Sequence, residues 1–328
     1  MKRNLLWALL ALLLLSACAA GREPEEPSGP PLITIGLSQI GAESDWRVAN
    51  SESMKEAFTE ENGYRLLFDD ARQMQENQIT AVRKFIQQRV DYIVLMPISE
   101  TGWEGVLQEA RNAGIPVILA DRMVDAELEG LYAAHIGSDF RAEGELAVRW
   151  MDERYQDAEG PVNIIHIQGT YGSTAQLGRT AALEAAVERN GNWNLLAQLD
   201  GDFTQAKTYE VMRDCLDNLP VGQGIDIVYC ENDNEAFGTI QALEERGYVL
   251  GEDGVAVISF DATRNGLRSC MEGKIALVVE CDPLLGPLAA RVIQGMERGE
   301  PPEEHYYAQE RIFTPDMLTE ELIQAREY

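Results

Sequence analysis

Residues 91–122, DYIVLMPISETGWEGVLQEARNAGIPVILADR, hold one complete structural unit. Asp91 to Met96 is a short apolar run bounded by a proline, the pattern of a strand buried on both faces. Thr101 to Ala113 reads as a helix, and Pro116 to Ala120 as a second buried strand. That strand ends abruptly in two charges, Asp121 and Arg122. A strand, a helix and a returning strand make a parallel βαβ unit, which places helices over the faces of a sheet.

The same alternation extends in both directions. Upstream lie strand Ile33–Ser38, helix Trp46–Glu60, strand Tyr64–Phe68 and helix Glu76–Gln88. Downstream, strand Leu131–Ile136 and helix Arg141–Arg154 open a second set, which continues with strand Val162–Gln168, helix Ser173–Arg189, strand Leu195–Leu199 and helix Gln205–Asn218. It then runs through strand Ile225–Cys230, helix Glu235–Arg246, strand Val255–Phe260, helix Arg264–Glu272, strand Ile275–Val279 and helix Leu284–Arg298. The fold class expected is α/β with parallel sheets. The chain has 328 residues, more than one compact core usually holds, so two lobes are expected.

The N-terminus has a different character. Lys2 and Arg3 precede an apolar run, Leu5–Leu15, too short to span a bilayer, which takes about 20 residues. A basic head, a short apolar core and small residues read as a secretory signal. Leu15-Ser16-Ala17-Cys18 resembles the lipobox of bacterial lipoproteins, which implies a signal peptide over 1–17 and a lipid on Cys18. Residues 18–31 form a polar, Pro-rich tether that cannot bury a core. The expected location is therefore the cell envelope, anchored by lipid outside the cytoplasmic membrane.

The net charge is −28, and loss of Lys2 and Arg3 takes it two units lower. Such acidity argues against nucleic acid and against binding to anionic headgroups by charge alone. Apart from Cys18, the cysteines are Cys215, Cys230, Cys270 and Cys281, with no CxxC pair, and there are three histidines, His135, His166 and His305. That pattern gives no expectation of a metal or cofactor, and spacing leaves open whether any disulfide forms. No HExxH, GxSxG, P-loop or strand-following GxGxxG is present. Gly222-Gln-Gly224 precedes a strand, and Asp200-Gly-Asp202-Phe-Thr204 lacks the later residues of a calcium loop.

In parallel α/β sheets, ligands bind beyond the carboxyl ends of the strands. Those ends are polar here: Glu43 to Arg47 after the first strand, then Asp121-Arg122, Gln168-Gly169, Glu231-Asn232-Asp233, Asp261 and Glu280. Carboxylates, amides and guanidiniums suit sugar hydroxyls, each of which donates and accepts, while an aromatic ring covers the C–H face.

With these residues in view, the chain from about Leu32 to Arg311 resembles the pentose/hexose periplasmic binding proteins of the ribose-binding type. The resemblance rests on Ile118-Leu-Ala-Asp121-Arg122, on Gln168-Gly-Thr-Tyr-Gly-Ser-Thr-Ala with Arg179, and on Asp202-Phe203-Thr204, Asn232-Asp233 and Ser259-Phe-Asp261. Within that family the bacterial galactofuranose binders are the nearer match, through Ser38 to Arg47, Gln75-Glu-Asn-Gln78 and Thr101-Gly-Trp103-Glu104. Ribose binders carry two consecutive aromatics where this chain has Trp46-Arg47, which argues for a sugar other than ribose.

The resemblance implies a monomeric, non-enzymatic solute-binding lipoprotein that passes a monosaccharide, galactofuranose or a similar aldose, to the permease of an ABC transporter. Delivery to a membrane receptor is the alternative partner, and a glycosidase with paired carboxylates is the enzyme alternative. A repressor-like core would need an N-terminal helix-turn-helix, where a secretion signal stands instead. Lobe one is expected over 32–137 and 281–300, and lobe two over 138–280 and 301–328.

Site roles follow by position. Trp46 is expected to stack on the sugar, and Glu43, Arg47, Asp121, Arg122 and Arg179 to bind hydroxyls; Asn232 and Asp261 are expected to serve as ligands or as helix N-caps, and Glu280 to sit near the hinge. Phe203 fits the pocket or the core equally, and Trp103 and Trp193 read as packing residues.

Overall fold

Two six-stranded sheets, each flanked by helices, organise the computed structural model, which describes residues 31–328. The expected signal over 1–17, the lipid site Cys18 and the tether up to residue 30 lie outside the described residues.

The first sheet contains β1 (Ile33–Gln39), β2 (Tyr64–Asp70), β3 (Tyr92–Leu95), β4 (Val117–Ala120) and β5 (Ala134–Gly137), in the spatial order β2-β1-β3-β4-β5. All neighbours are parallel. Its crossover helices are α1 (Asp45–Ala57), α2 (Gln75–Gln88) and α3 (Glu104–Asn112). β3 shows why an unbroken apolar run was needed. Tyr92 and Val94 enter one core, with Ile35, Leu37 and Met54, while Ile93 and Leu95 enter the other, with Phe85, Trp103 and Leu107. A strand covered on both sides has no polar face to offer. Gly36 in β1 lies against the Phe85 ring, where a Cβ would stand 2.5 Å from a ring carbon, so this approach of α2 to the sheet requires glycine.

The chain then crosses to the second lobe. There α4 (Phe140–Tyr155), β6 (Val162–Gln168), α5 (Thr174–Arg189), β7 (Trp193–Asp200), α6 (Gln205–Asn218), β8 (Ile227–Cys230), α7 (Asp233–Glu245), β9 (Ala256–Asp261), α8 (Arg264–Met271) and β10 (Leu277–Glu280) follow. The strand order β7-β6-β8-β9-β10 repeats that of the first sheet. Both sheets therefore reverse direction between corresponding strands, β1/β3 and β6/β8, and these switch points are where a crevice opens. The chain returns through α9 (Gly286–Glu297), which packs on α1 in the first lobe.

The last strands depart from expectation. β11 (His305–Tyr307) pairs in parallel with β5, His305 beside His135, so it extends the first sheet. The segment 301–328 had been expected wholly in the second lobe, and its first part lies in the first. Only β12 (Ile312–Phe313), which pairs antiparallel with β10, and α10 (Glu320–Ala325) belong with the second. The lobes are thus joined by three crossings, at residues 138–139, 281–285 and 308–311. Cys215, Cys230, Cys270 and Cys281 are all free.

Candidate functional site

Where the carboxyl ends of the two sheets face each other, a cavity of about 20 Å³ lies between the lobes. That is room for about one water, well below the roughly 300–1,000 Å³ of small-molecule pockets, so a ligand enters only when the lobes part. Eight of the nine expected residues line it: Glu43, Trp46, Arg47, Asp121 and Arg122 from the first lobe, and Arg179, Asn232 and Asp261 from the second.

Each is positioned by local structure. Ser44 caps α1, accepting from Arg47 N, which fixes the turn that presents Glu43, Trp46 and Arg47 together. Asp121 follows β4 with φ 63°, and His135 Nε2 meets its carbonyl oxygen at 2.9 Å, bracing the left-handed turn. Asp261 ends β9 with φ 103°, and Phe203 follows β7 with φ 58°. Non-glycine residues in this region cost on the order of 1–3 kcal/mol each, and three of them meet at one cavity. Strain of this kind persists where surrounding contacts over-determine it, and here they do. Glu235 Oε1 accepts from Phe203 N at 2.9 Å, Asn232 Nδ2 donates to Phe203 O at 3.1 Å, and Gly169 leaves room for the ring.

The charges form two clusters. In the first lobe, Arg47 reaches Glu43 at 2.9 Å and Asp121 at 2.6 Å, and Arg122 lies 3.7 Å from Glu43 while donating to Ile98 O at 3.0 Å. In the second, Arg179 pairs with Glu143 at 2.7 Å and donates to Glu231 O. Burial would lift the Glu43 carboxyl, but the Arg47 and Arg122 guanidiniums outweigh it and hold the group below the usual carboxylate range. Burial, with the charge of Arg47, pushes Arg122 down to about 10. Burial and the neighbouring Asp233 push Asp261 well above the usual carboxylate range. Each guanidinium already has a carboxylate partner, so none is left unpaired to capture an anion.

Apolar surface completes the lining. Trp46, Phe140, Ala175, Phe203 and Cys281 form a small cluster between the lobes. Trp46 Nε1 donates to Cys281 O at 2.7 Å, which fixes the indole plane. Several buried polar atoms have no hydrogen-bond partner among the described residues: Glu43 Oε2, Arg47 Nη1, Arg122 Nε and Asp261 Oδ2. Buried polar groups are normally satisfied, so four such atoms around one cavity match a ligand rich in hydroxyls.

The lobes are closed over this cavity. Glu100 N donates to Gly172 O at 3.0 Å, Met123 N to Thr174 Oγ1 at 3.0 Å, and Asp45 N to Asn234 Oδ1 at 3.1 Å, each from the first lobe to the second.

The remaining sequence expectations resolve individually. Glu280 does not line the cavity. It pairs with Arg326 and lies 3.4 Å from Arg311, because β12 and the C-terminal tail bring two arginines to the outer side of β10. Asn232 is the N-cap of α7 and also faces the cavity, whereas Asp261 caps nothing, since Thr263 caps α8. Trp103 and Trp193 are core residues, and Phe203 is a cavity residue. Ser44, Phe140, Ala175 and Cys281 were missed. So were the buried acids Glu143 and Glu235 behind the wall, while Glu231, named among the polar strand ends, lies behind the wall and not in it.

The chain matches the model of the periplasmic binding protein domain over residues 35–301. It belongs to that family. This periplasmic binding protein is 34% identical to the galactofuranose-binding protein YtfQ of Escherichia coli K12, across 95% of its own length and 96% of the relative's. A solved structure from Mycobacterium smegmatis in complex with β-D-fucofuranose is 40% identical, with a TM-score of 0.82 over 87% of this chain and 92% of that one. The binding component of the arabinose ABC transporter of Shewanella sp. ANA-3, bound to α- and β-L-arabinofuranose, is 36% identical, with a TM-score of 0.81 over 86% and 92%. Members of this family bind solutes outside the cytoplasm and are not enzymes, so the carboxyls of the cavity are hydrogen-bonding groups. Among the described residues, no helix is long and apolar enough to cross a membrane.

Proposed function

We propose that this periplasmic binding protein captures a monosaccharide in its furanose form, galactofuranose or a close relative, and delivers it to the permease of an ABC importer. It does so as a monomer held at the envelope by a lipid on Cys18. The observation that carries the reading is the closed cavity in which unpartnered atoms of Glu43, Arg47, Arg122 and Asp261 converge beside Trp46 and Phe203. The furanose ligands named for two relatives above 35% identity support the ring form.

Binding follows from the placement of these groups on two bodies. Glu43, Arg47, Asp121 and Arg122 hold one side of the sugar, and Arg179, Asn232 and Asp261 hold the other. A ligand bridging both sides gains its full set of contacts only in the closed form, so binding shifts the open–closed equilibrium by that difference in affinity. The permease then reads the closed surface. A furanose is a minor form of most free aldoses, and selecting it weakens apparent affinity by the fraction populated.

The test is a thermal-shift screen of the purified protein with galactose, fucose, arabinose, ribose, fructose and methyl glycosides locked as furanose or pyranose. Ligand at about 100 times its dissociation constant stabilises the fold by about 2.7 kcal/mol. Stabilisation by a furanose-locked sugar and not its pyranose isomer is the expected result. Stabilisation by pyranoses alone overturns the ring form, and none by any sugar overturns the ligand class.

A further inference from the structure

Directly beneath Arg179, the three crossings between the lobes converge on one carboxyl group that the sugar-binding reading does not use. Glu310, in the third crossing, accepts through Oε1 from Ser138 Oγ of the first crossing and from Asp282 N of the second, the latter at 3.2 Å. Its side chain also faces Glu143 on α4. Ligand-type atoms of Glu143, Glu310 and Cys281 all lie within 4.8 Å of one another. Glu143 is 1% exposed; its Oε2 accepts from Arg179, and its Oε1 is buried with no donor among the described residues.

Two carboxylates this close cannot both be ionised away from water, and among the described residues the one cation in contact, Arg179, is engaged by Glu143. The other groups facing the pair are the Cys281 thiol, the Ser138 hydroxyl, the Asp282 side chain and, across Arg179, Asp261 at the end of β9. None of these brings a positive charge.

We propose that Glu143 and Glu310 share one proton, and that this proton latches the hinge while leaving Arg179 aimed into the cavity. With the proton in place, one carboxyl donates to the other and Glu310 ties all three crossings. When the proton leaves to solvent, the two negative charges repel, and both compete for the Arg179 guanidinium. Burial and Glu143 together lift Glu310 to about 10, burial raises Glu143 despite Arg179, and burial and Glu143 push the Cys281 thiol well above its usual range. The sign follows from these directions. The folded protein keeps a proton that the unfolded chain gives up above the ordinary glutamate value, so this pair's contribution declines as pH rises from there to about 10.

The test needs no sugar, so it stands apart from the choice of ligand. Thermal unfolding of wild type, Glu310→Gln, Glu143→Gln and Ser138→Ala is followed from pH 6 to 10. Glutamine supplies the donor and acceptor of a protonated glutamate without titrating. The midpoint of Glu310→Gln should match or exceed wild type at pH 6 and gain on it by about 2 °C per pH unit above that. Glu143→Gln should show the same relief of slope from a lower starting point, because Arg179 loses its carboxylate. Ser138→Ala, which removes only a hydroxyl, should run parallel to wild type. Parallel curves for wild type and Glu310→Gln overturn the shared proton. A Glu310→Gln protein that does not fold overturns it too, since a neutral amide would then fail where a neutral carboxyl serves.

Discussion

Replacing Asp121 with asparagine tests the site with little collateral damage. Asp121 sits at φ 63°, and asparagine is, after glycine, the residue that best tolerates the left-handed region, so the turn after β4 is retained. The change removes one charge and almost no volume. It breaks the 2.6 Å ion pair from Arg47 Nη2, while Arg47 keeps Glu43 at 2.9 Å, so no charge is left wholly alone. A hydrogen bond to a charged group contributes about 1.5–3 kcal/mol. The dissociation constant for the sugar found in the thermal screen should therefore rise about 10- to 150-fold at pH 7, by titration calorimetry. The ligand-free unfolding midpoint should fall by no more than about 4 °C. Asp121→Ala should bind as weakly and lose a further ~1–2 kcal/mol of stability, because alanine dislikes this φ. An Asp121→Asn protein that folds normally and binds within threefold of wild type would remove Asp121 from the site, and with it the role assigned to Arg47.

Gly169→Ala places a Cβ 2.0 Å from the Phe203 ring, so the ring must leave its position. Overpacking of this kind costs about 1–3 kcal/mol, and affinity should drop at least tenfold, measured by calorimetry beside the unfolding midpoint. Glu280→Gln should do the opposite: affinity within threefold of wild type, with about 1–2 kcal/mol of stability lost in denaturant titration as Arg326 and Arg311 lose their carboxylate. For Glu43, the paired arginines hold the group below its ordinary range, so its contribution is present above the ordinary value and is lost as pH falls through the lowered one. Between pH 5 and pH 3 the wild-type midpoint should drop more steeply than that of Glu43→Gln, and equal slopes would mean that Glu43 is not ion-paired in solution.

The cavity wall was legible because sheet topology concentrates it. In parallel sheets of this strand order, which both lobes share, polar residues at or just beyond the carboxyl ends of apolar strands face the crevice, and Glu43, Asp121, Asn232 and Asp261 all do so. Glu280 also follows an apolar strand, yet it fails, because β10 lies toward the edge, where β12 approaches from the other direction. Its partners, Arg311 and Arg326, arrive from segments 31 and 46 residues further along the chain. Spacing near Glu280 carries no trace of them. β11 was hidden for a related reason: three residues after a proline pair are too few to show alternation, and the strand exists only because β5 offers it an edge.

The buried acids behind the wall left a signal that local reading of strand ends passes over. Glu143, Ala147 and Met151 are spaced by four along α4 and are all buried, so the glutamate lies on the helix's apolar stripe. In α7, Glu235 shares a buried face with Thr239, Leu243 and Ala242. A carboxylate in such a stripe is costly unless paired, which makes each one a pointer to a cation or a backbone donor nearby. Glu143 points to Arg179, and Glu235 to the amides of Glu231 and Phe203. The groups that hold the strained turns in place are thus acids on helix faces, one layer behind the strand ends. The cavity owes its shape to that layer as much as to the residues exposed in it, so Glu235→Gln should weaken sugar binding without touching the sugar, because glutamine offers one acceptor oxygen where Glu235 accepts from both Phe203 N and Glu231 N, while Thr239→Ala on the same face should not.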